Sequence, residues 1–422
     1  MSVKRRDKKG RILLTNEKQL ADGRYEYRYK GSDGKRHSLY SWKLVPTDPV
    51  PQGKRSTTSL REMKQNLEAD KVKRIDSYKA RATSVGDCYQ IFLSHKNTVT
   101  RKTLDIYKGL YQSFIQHRIG SIRINNVTPE NIKQLYLDML DEDELTMATV
   151  EKVNTTLTEM FNEATKDKLI DYNPCDGVLK EIRRYRRYKP QHKRGLTIDE
   201  QTRFMRYISD TERFRKWEPL FTFLLGTGCR VCEALALTWD DCSFENEAIS
   251  INKTLQYYRR DDTELYGYSI SLPKTNNGVR DIPMLPEIKE LLLKMRKDED
   301  ERPHQRVYID GVTGFIWRNQ GDRVPIPGTV NAALYAIQKS YNQHETELAR
   351  QENRSPVLLP KFSVHVLRHT FCTRLCENET DLKLIQEVMG HGDISTTMNV
   401  YNNITMQYKT DKFKDLAGKI VL

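Results

Sequence analysis

The hydrophobic period changes along this chain, and the change limits the folds that it can adopt. Residues 24–30 alternate, with Tyr25, Tyr27 and Tyr29 on one side and mostly basic residues on the other, as in a half-buried strand. Residues 150–164 instead carry apolar side chains every three or four positions, which is the period of a packed helix. We therefore expect a multidomain, mainly α chain that begins with a small β-sheet domain.

The strand at residues 24–30 is expected to belong to a small sheet. Residues 31–34 are a turn signal, residues 35–42 are the expected partner strand, and residues 11–15 could add a third strand. Apolar residues at the three- and four-residue spacing of 60–67 predict a helix that covers the tyrosines. The opposite face of such a sheet can enter the major groove of DNA. The alternative is that the tyrosines are only core and the charges only face solvent.

Positive charge is concentrated in two segments. The chain holds 70 lysines and arginines against 57 acidic residues, which gives a net charge of +13. Residues 1–55 contain 15 basic and 6 acidic side chains, and residues 180–194 contain 8 and 1. Such segments beside near-neutral domains indicate a polyanionic partner, nucleic acid first; the alternative is a solubilising tail and a solvated tether. The expected DNA-binding residues are Arg24, Arg28, Lys30, Arg183, Arg184, Arg186 and Arg187.

Composition changes divide the chain into four parts. We expect a β domain over residues 1–75, a helical bundle over 79–177, a basic linker over 178–196, and a mixed α/β domain over 197–422 whose first helix opens with a capping box at 197–200. No apolar run approaches the roughly 18 residues of a membrane span, and the basic start lacks the apolar stretch of a signal peptide. Seven cysteines in 422 residues do not indicate a disulfide framework. A cytoplasmic protein that does not contact a membrane is expected.

The last domain contains four short signatures in a fixed order. They are Gly226-Thr227-Gly228-Cys229-Arg230-Val231-Cys232-Glu233-Ala234-Leu235, Leu272-Pro273-Lys274-Thr275-Asn276-Asn277-Gly278-Val279-Arg280-Asp281-Ile282-Pro283, His365-Val366-Leu367-Arg368, and Met389-Gly390-His391 with Tyr401 ten residues later. Asn277-Gly278 predicts a hairpin with Lys274 at its mouth. Cys229 and Cys232 have the C-x-x-C spacing without a second pair, so we expect them to pack in the fold rather than to bind a metal.

In this order the signatures resemble the tyrosine recombinases, the site-specific DNA recombinases of the phage-integrase superfamily. The resemblance covers residues 78–410 in domain order and is sharpest between Gly226 and Tyr401. All six catalytic positions of the family pattern are filled, by Arg230, Lys274, His365, Arg368, His391 and Tyr401. The basic, β-rich N-terminus is similar to the arm-binding domain of the integrases of Gram-positive conjugative transposons.

The chemistry that the resemblance implies is consistent with these residue types. A tyrosine can store the energy of a cut phosphodiester in a covalent ester, and two guanidiniums can clamp the non-bridging oxygens of the transition state. By resemblance, Tyr401 is the nucleophile of a 3′-phosphotyrosyl intermediate, Arg230 and Arg368 form the clamp, and Lys274 protonates the departing 5′ oxygen. No metal and no other cofactor are required by this arrangement.

The resemblance also implies the remaining roles and the partners. His391 would hydrogen-bond a non-bridging oxygen, and His365 would assist proton handling. Four protomers would join two DNA duplexes, element ends and target sites, with an excisionase and a host DNA-bending protein as accessory factors. The alternatives are a Xer-like housekeeping recombinase, a type IB topoisomerase and a non-catalytic DNA-binding regulator. The apolar residues of 402–422 predict that this tail docks, either on a neighbouring protomer or in cis.

Overall fold

The computed structural model of the chain describes residues 5–31, 34–54, 58–72, 77–188, 194–259, 265–273, 276–301, 305–319, 321–378 and 381–401. Residues 1–190 and 191–422 form two compact units. The expected fold class is confirmed, because a small N-terminal antiparallel sheet precedes a helical region and a mixed α/β unit. Lys274 and the tail at 402–422 lie outside the described residues.

The N-terminal sheet has the order β1-β2-β3, and its strands are antiparallel. The strands are Glu17–Gln19 (β1), Tyr25–Lys30 (β2) and Arg36–Ser41 (β3), and the following helix spans Leu60–Val72 (α1). The three tyrosines of β2 are buried in one cluster with Leu60 and Leu67 of α1. The expected helix over the tyrosine face is therefore confirmed.

The prediction that residues 11–15 add a third strand is wrong. The edge strand is β1, and Ile12 makes an isolated bridge to Arg6. The side chain of Arg11 is held by two carboxylates, with Nε 2.8 Å from Asp7 Oδ2 and Nη1 2.8 Å from Asp48 Oδ1. These ion pairs hold the segment as a loop that closes the end of the cluster.

The face of the sheet opposite the tyrosines is polar. Arg28 and Lys30 are exposed, and the guanidinium of Arg24 lies 5.5 Å from the ring centre of Tyr40. Glu26 is buried on the same face, where its Oε1 accepts a hydrogen bond from Tyr40 and lies 3.1 Å from Arg28 Nε. The basic face thus has a carboxylate at its centre that alternation alone does not reveal.

The rest of the first unit is a helical bundle. Its helices are Ser77–Ala82 (α2), Val85–His95 (α3), Arg101–Leu110 (α4), Gln116–Ile119 (α5), Pro129–Asp141 (α6), Met147–Lys166 (α7) and Val178–Tyr185 (α8), with a π-helical turn at Tyr111–Ile115. The apolar stripe expected at 150–164 is buried along α7. The predicted start of the linker, residue 178, is too early, because Val178 and Ile182 of α8 are buried in the core of the bundle. These two residues lie one helical turn apart on the same face of α8, and Leu179 packs against the same core.

The second unit is built around a large hydrophobic cluster. Its helices are Ile198–Asp210 (α9), Glu212–Arg215 (α10), Glu218–Thr227 (α11), Val231–Ala234 (α12), Pro286–Asp300 (α13), Pro327–Gln351 (α14), Val364–Asn378 (α15), Leu382–Met389 (α16) and Ile394–Tyr401 (α17). Its strands are Cys242–Ser243 (β4), Ala248–Ile251 (β5), Thr254–Arg259 (β6), Tyr266–Ser271 (β7) and Arg280–Pro283 (β8). The expected capping box at the start of α9 is confirmed by Thr197 and Glu200.

The prediction of a hairpin at Asn277-Gly278 is also wrong. Asn276–Gly278 is a 3-10 turn, and the strand that follows it, β8, pairs with β5 and not with β7. β7 pairs with β6 instead. The reason is burial, because Ile282 of β8 lies opposite Ile249 of β5 and both side chains belong to the main core. The segment after Lys274 is therefore anchored in the core sheet.

Candidate active site

Three arginines from separate parts of the second unit meet at the C-terminal end of α16. Their acceptors are the consecutive backbone carbonyls of Val388–Gly390. Arg280 Nε donates to the first at 2.8 Å, Arg368 Nη2 donates to the second, and Arg230 Nη2 donates to the third at 3.5 Å. The last carbonyls of a helix lack partners within the helix and form the negative end of its dipole. The end of α16 therefore holds the three guanidiniums close together.

Gly390 ends α16 in the left-handed conformation, with φ of 62°. A Cβ at this position would lie 2.8 Å from the carbonyl oxygen of Asn277 and 2.9 Å from Nη1 of Arg280. Both the backbone conformation and this close approach favour glycine. The Gly-His signature is thus explained by the packing of the 276–278 turn against the end of α16.

Arg230 is placed by the turn that ends α11 and by the cap of α12. Gly228 adopts φ of 64°, and a Cβ there would lie 2.4 Å from the ring of Phe371. Arg230 then caps α12, and its backbone N–H donates to Glu233 Oε2 at 3.0 Å while Nη1 donates to Glu233 Oε1 at 2.5 Å. The Arg230 side chain keeps 42% of its surface exposed, so it is oriented by Glu233 and remains open to a ligand.

Arg368 is the buried member of the pair. It is 3% exposed, and its guanidinium donates to the carbonyls of Gly228, at 2.8 Å, and of Met389. Burial, reinforced by the nearby charge of Arg230, lowers the pKa of Arg368 to about 10. Arg368 is therefore still protonated at neutral pH. Its buried positive charge adds to the exposed positive charge of Arg230.

Arg280 and Glu233 complete the cluster. Nη2 of Arg280 lies 3.0 Å from Glu233 Oε2, and both side chains are almost fully buried. Burial alone raises the pKa of Glu233, but the charges of Arg280 and Arg230 outweigh it and hold that pKa below its ordinary value. Glu233 is therefore ionised and bridges the two arginines. Arg280 lies within the second signature, where sequence reasoning assigned it no role.

His391 follows directly on this cluster. It is buried, and its Nδ1 lies 2.9 Å from the hydroxyl oxygen of Thr397 in α17. Its backbone carbonyl accepts hydrogen bonds from Asn277 and from Gln386. Burial, followed by the charges of Arg368 and two further arginines, lowers the pKa of His391 to about 4. The imidazole is therefore neutral at physiological pH, and it can offer a hydrogen bond but not a positive charge.

The other three expected catalytic residues are placed less completely. His365 lies on the exposed side of α15, with its ring 4.7 Å from that of His369 in an edge-to-face arrangement. Lys274 lies outside the described residues, although the turn that follows it contacts His391 through Asn277. Tyr401 is the last residue of α17, ten residues after His391, and its side chain lies outside the description. The structure thus brings together Arg230, Arg368 and His391.

The residues expected to bind DNA differ in their surroundings. Arg183 Nη2 lies 2.6 Å from Glu151 Oε1, and Arg186 Nη2 lies 2.5 Å from Asp141 Oδ2. Arg184 and Arg187 are exposed. In α8 and the turn after it, two of the four expected contacts therefore already have an acidic partner, as Arg28 does in Glu26, whereas Arg184 and Arg187 face solvent.

No metal site is evident in the described part of the chain. There, no group of three or more His, Cys, Asp or Glu side chains is arranged to hold a metal ion. Cys229 is buried in the main hydrophobic cluster, as expected for a packing role, and Cys232 is half-buried. None of the described helices is both long enough and apolar enough to cross a membrane.

Comparison with known proteins gives the class to which this chain belongs. Residues 195–408 match the phage integrase family, and residues 1–71 match the DNA binding domain of tn916 integrase. The chain belongs to the phage integrase family and is a tyrosine-type site-specific recombinase.

Its relatives narrow the class further. The chain is 32% identical to the transposase from transposon Tn1545 of Streptococcus pneumoniae and 31% identical to that from Tn916 of Enterococcus faecalis, in both cases over 99% of this chain and 97% of the relative. The structure of the Tn1549 transposon integrase in complex with transposon right end DNA has 28% identity and a TM-score of 0.67, and the match covers 79% of this chain and 100% of that one. The chain is accordingly a recombinase of the conjugative-transposon type.

Proposed function

We propose that this recombinase excises and integrates a mobile element by cutting double-stranded DNA through a covalent 3′-phosphotyrosyl intermediate at Tyr401. The observation that carries the proposal is the convergence of Arg230 and Arg368 on adjacent carbonyls at the end of α16, immediately before His391. Glu233 and the carbonyls at the end of α16 hold these two guanidiniums in place, and Arg230 stays 42% exposed. A phosphate can therefore approach this pair of positive charges.

The residues then divide the reaction between them. Arg368 and Arg230 bind the two non-bridging oxygens, on which negative charge grows in the transition state. His391, which is neutral, donates a hydrogen bond to one of these oxygens. The hydroxyl oxygen of Tyr401 attacks phosphorus while its proton passes to His365 or to solvent, the bond between phosphorus and the 5′ oxygen breaks, and Lys274 supplies the proton that this 5′ oxygen takes up. His365 assists the proton transfer from its position on α15.

The first unit supplies the DNA contacts of this proposal. The sheet at 17–41 binds sites flanking the crossover through Arg24, Arg28 and Lys30, and the helical bundle binds the crossover site itself. Contacts to the phosphate backbone are supplied by Arg183, Arg184, Arg186 and Arg187. Four protomers assemble on two duplexes in the cytoplasm, with an excisionase and a DNA-bending protein as accessory factors. A Xer-like housekeeping enzyme or a type IB topoisomerase would not need the N-terminal sheet.

A nicked suicide duplex tests the nucleophile. The wild-type chain should form a protein–DNA adduct that survives a denaturing gel, and Tyr401→Phe should bind the duplex equally well but form none, because it loses one hydroxyl and almost no volume. The matched control is Tyr408→Phe, seven residues later in the tail, which should form the adduct normally. An adduct in Tyr401→Phe that disappears in Tyr408→Phe would move the nucleophile to Tyr408.

A further inference from the structure

We infer that Thr397 is a positioning residue that holds His391 in the tautomer able to donate to a phosphate, and so makes that donor depend on the docking of the helix that carries Tyr401. The inference rests on the proposed function, because it assumes that His391 donates to the scissile phosphate. It concerns the side chain of Thr397, to which sequence reasoning assigned no role. It starts from the 2.9 Å contact between His391 Nδ1 and Thr397 Oγ1.

A neutral imidazole carries one N–H and one acceptor nitrogen, and the partner of one nitrogen decides which is which. The charged and titratable groups around His391 are Arg368, Arg230, Arg280 and His369. Their positive charge disfavours a proton on both nitrogens. The direction of the Thr397 bond therefore sets the chemistry of Nε2: if the hydroxyl donates to Nδ1, Nε2 carries the hydrogen, and if Nδ1 donates, Nε2 presents a lone pair.

Burial decides the direction of this bond. Thr397 is 0% exposed, so water does not reach its hydroxyl, and a buried hydroxyl hydrogen needs a protein acceptor. Elsewhere in this unit, buried threonines donate to the carbonyl four residues earlier, as Thr227 does to Phe223 and Thr370 does to Val366. Among the described residues, the hydroxyl of Thr397 is instead hydrogen-bonded to Nδ1 of His391. Donation to Nδ1 satisfies the hydroxyl and leaves Nε2–H as the free donor.

The position of Thr397 in α17 also links its hydrogen bond with His391 to the helix that carries Tyr401. Asp393 caps the start of α17, with its side chain accepting from the Ser395 N–H at 2.8 Å, and position 397 is one turn before the end of the helix at position 401. The hydrogen bond to His391 exists only when this helix lies against the site. The correct tautomer of the phosphate donor is therefore present when the helix of the nucleophile is in place.

Thr397→Val removes the hydroxyl and keeps the shape of the side chain. We expect cleavage of the suicide duplex to slow by about 10- to 100-fold, less than or equal to the roughly 10²–10³-fold cost of losing a whole transition-state donor, while DNA binding is unchanged. Thr397→Ser keeps the hydroxyl and should restore most of the rate. Thr396→Val is the matched control, because the neighbouring Thr396 is exposed, and it should cleave like wild type.

A double-mutant cycle separates the tautomer role from simple packing of the helix. In a His391→Phe background the hydroxyl of Thr397 has no ring nitrogen to bind, so adding Thr397→Val should cause no further loss. An equal loss in both backgrounds would show that Thr397 only docks α17 and would overturn the inference. Wild-type cleavage by Thr397→Val would overturn it as well.

The tautomer itself can be observed without catalysis. In the full-length protein with ¹⁵N-labelled histidine, the resonance assigned to His391 by its loss in His391→Phe should show Nε2–H in the wild type and a shift toward the other tautomer in Thr397→Val. An Nδ1–H signal in the wild type would overturn the inference. If the wild type forms no covalent adduct but shows the Nε2–H tautomer, the proposed function fails while the role of Thr397 on the imidazole stands.

Discussion

The N-terminal sheet and the end of α16 both concentrate positive charge, but they hold it in opposite ways. On the sheet, Arg28 and Lys30 are exposed, so water and counterions surround them until a partner displaces these ions. At the end of α16, Arg368 is 3% exposed and is held by two backbone carbonyls. Binding through the exposed cations of the sheet should depend strongly on salt and little on exact geometry. Binding at the end of α16 should depend little on salt and strongly on geometry.

This difference has a chemical reason. A surface cation gains affinity from the release of counterions and can follow a phosphate wherever it lies. A transition state requires donors that are already oriented, because reorganisation during the reaction raises the barrier. In the proposed reaction Arg230 and Arg368 avoid that reorganisation, since Glu233 and the carbonyls at the end of α16 orient them in the protein without DNA.

The largest effect should come from replacing an arginine of the cluster with lysine, which keeps the positive charge but changes the geometry of the donors. We expect Arg368→Lys and Arg230→Lys each to lower the cleavage rate by about 10²–10³-fold with DNA binding retained, because lysine cannot reproduce a planar two-donor contact. Only Arg368→Lys should also lower the thermal midpoint clearly, because it leaves the carbonyls of Gly228 and Met389 without their partner. Cleavage rates on the suicide duplex and thermal melts measure the two effects. Wild-type cleavage by either variant would exclude that arginine from the clamp.

The next largest effect should be on the pH dependence of stability, which tests whether His391 is buried among positive charges. The ordinary pKa of histidine is about 6.5, and that of His391 in the fold is about 4. Between these values the unfolded chain binds a proton that the folded chain does not, so the free energy of unfolding should fall as the pH drops. From pH 7 to pH 5 the contribution of this group should fall on the order of 2 kcal/mol.

Urea unfolding followed by tryptophan fluorescence at pH 7 and pH 5 measures this loss. His391→Phe lacks the titrating group and should lose correspondingly less stability over the same interval. An identical pH dependence of the two proteins would show that His391 is not held in a positive, buried environment.

The smallest effect should come from single exposed charges on the sheet. We expect Lys30→Ala to weaken binding to element-end DNA severalfold and to reduce the slope of log affinity against log salt by about 1. The matched control is Lys64→Ala in α1, which removes the same charge from the opposite side of the sheet, where the Lys64 ammonium lies 5.3 Å from the ring centre of Tyr27. Salt titrations of both full-length variants give the slopes. Equal slopes for the two would place the DNA contact elsewhere.

The sequence by itself determined the features that depend on local periods and on residue type. Alternation predicted the two-faced strand β2, the period of three to four predicted the buried stripe of α7, and the capping box predicted the start of α9. The order of the four signatures led to the family. These features could be read because each depends on neighbours within one or two turns of the chain.

The tertiary structure alone decided which distant groups meet. β8 pairs with β5 rather than continuing a hairpin at Asn277-Gly278, and the helix α8 docks where a linker was expected. Arg280 obtains its role from a partner 108 residues away, the carbonyl of Val388, and Thr397 obtains its role from His391 in the segment before its own helix. A hydrogen bond of this kind depends on where α16 ends in space, and no local pattern records that position. The residue types of the candidate site could therefore be read from the sequence, whereas the distant groups that orient them could not.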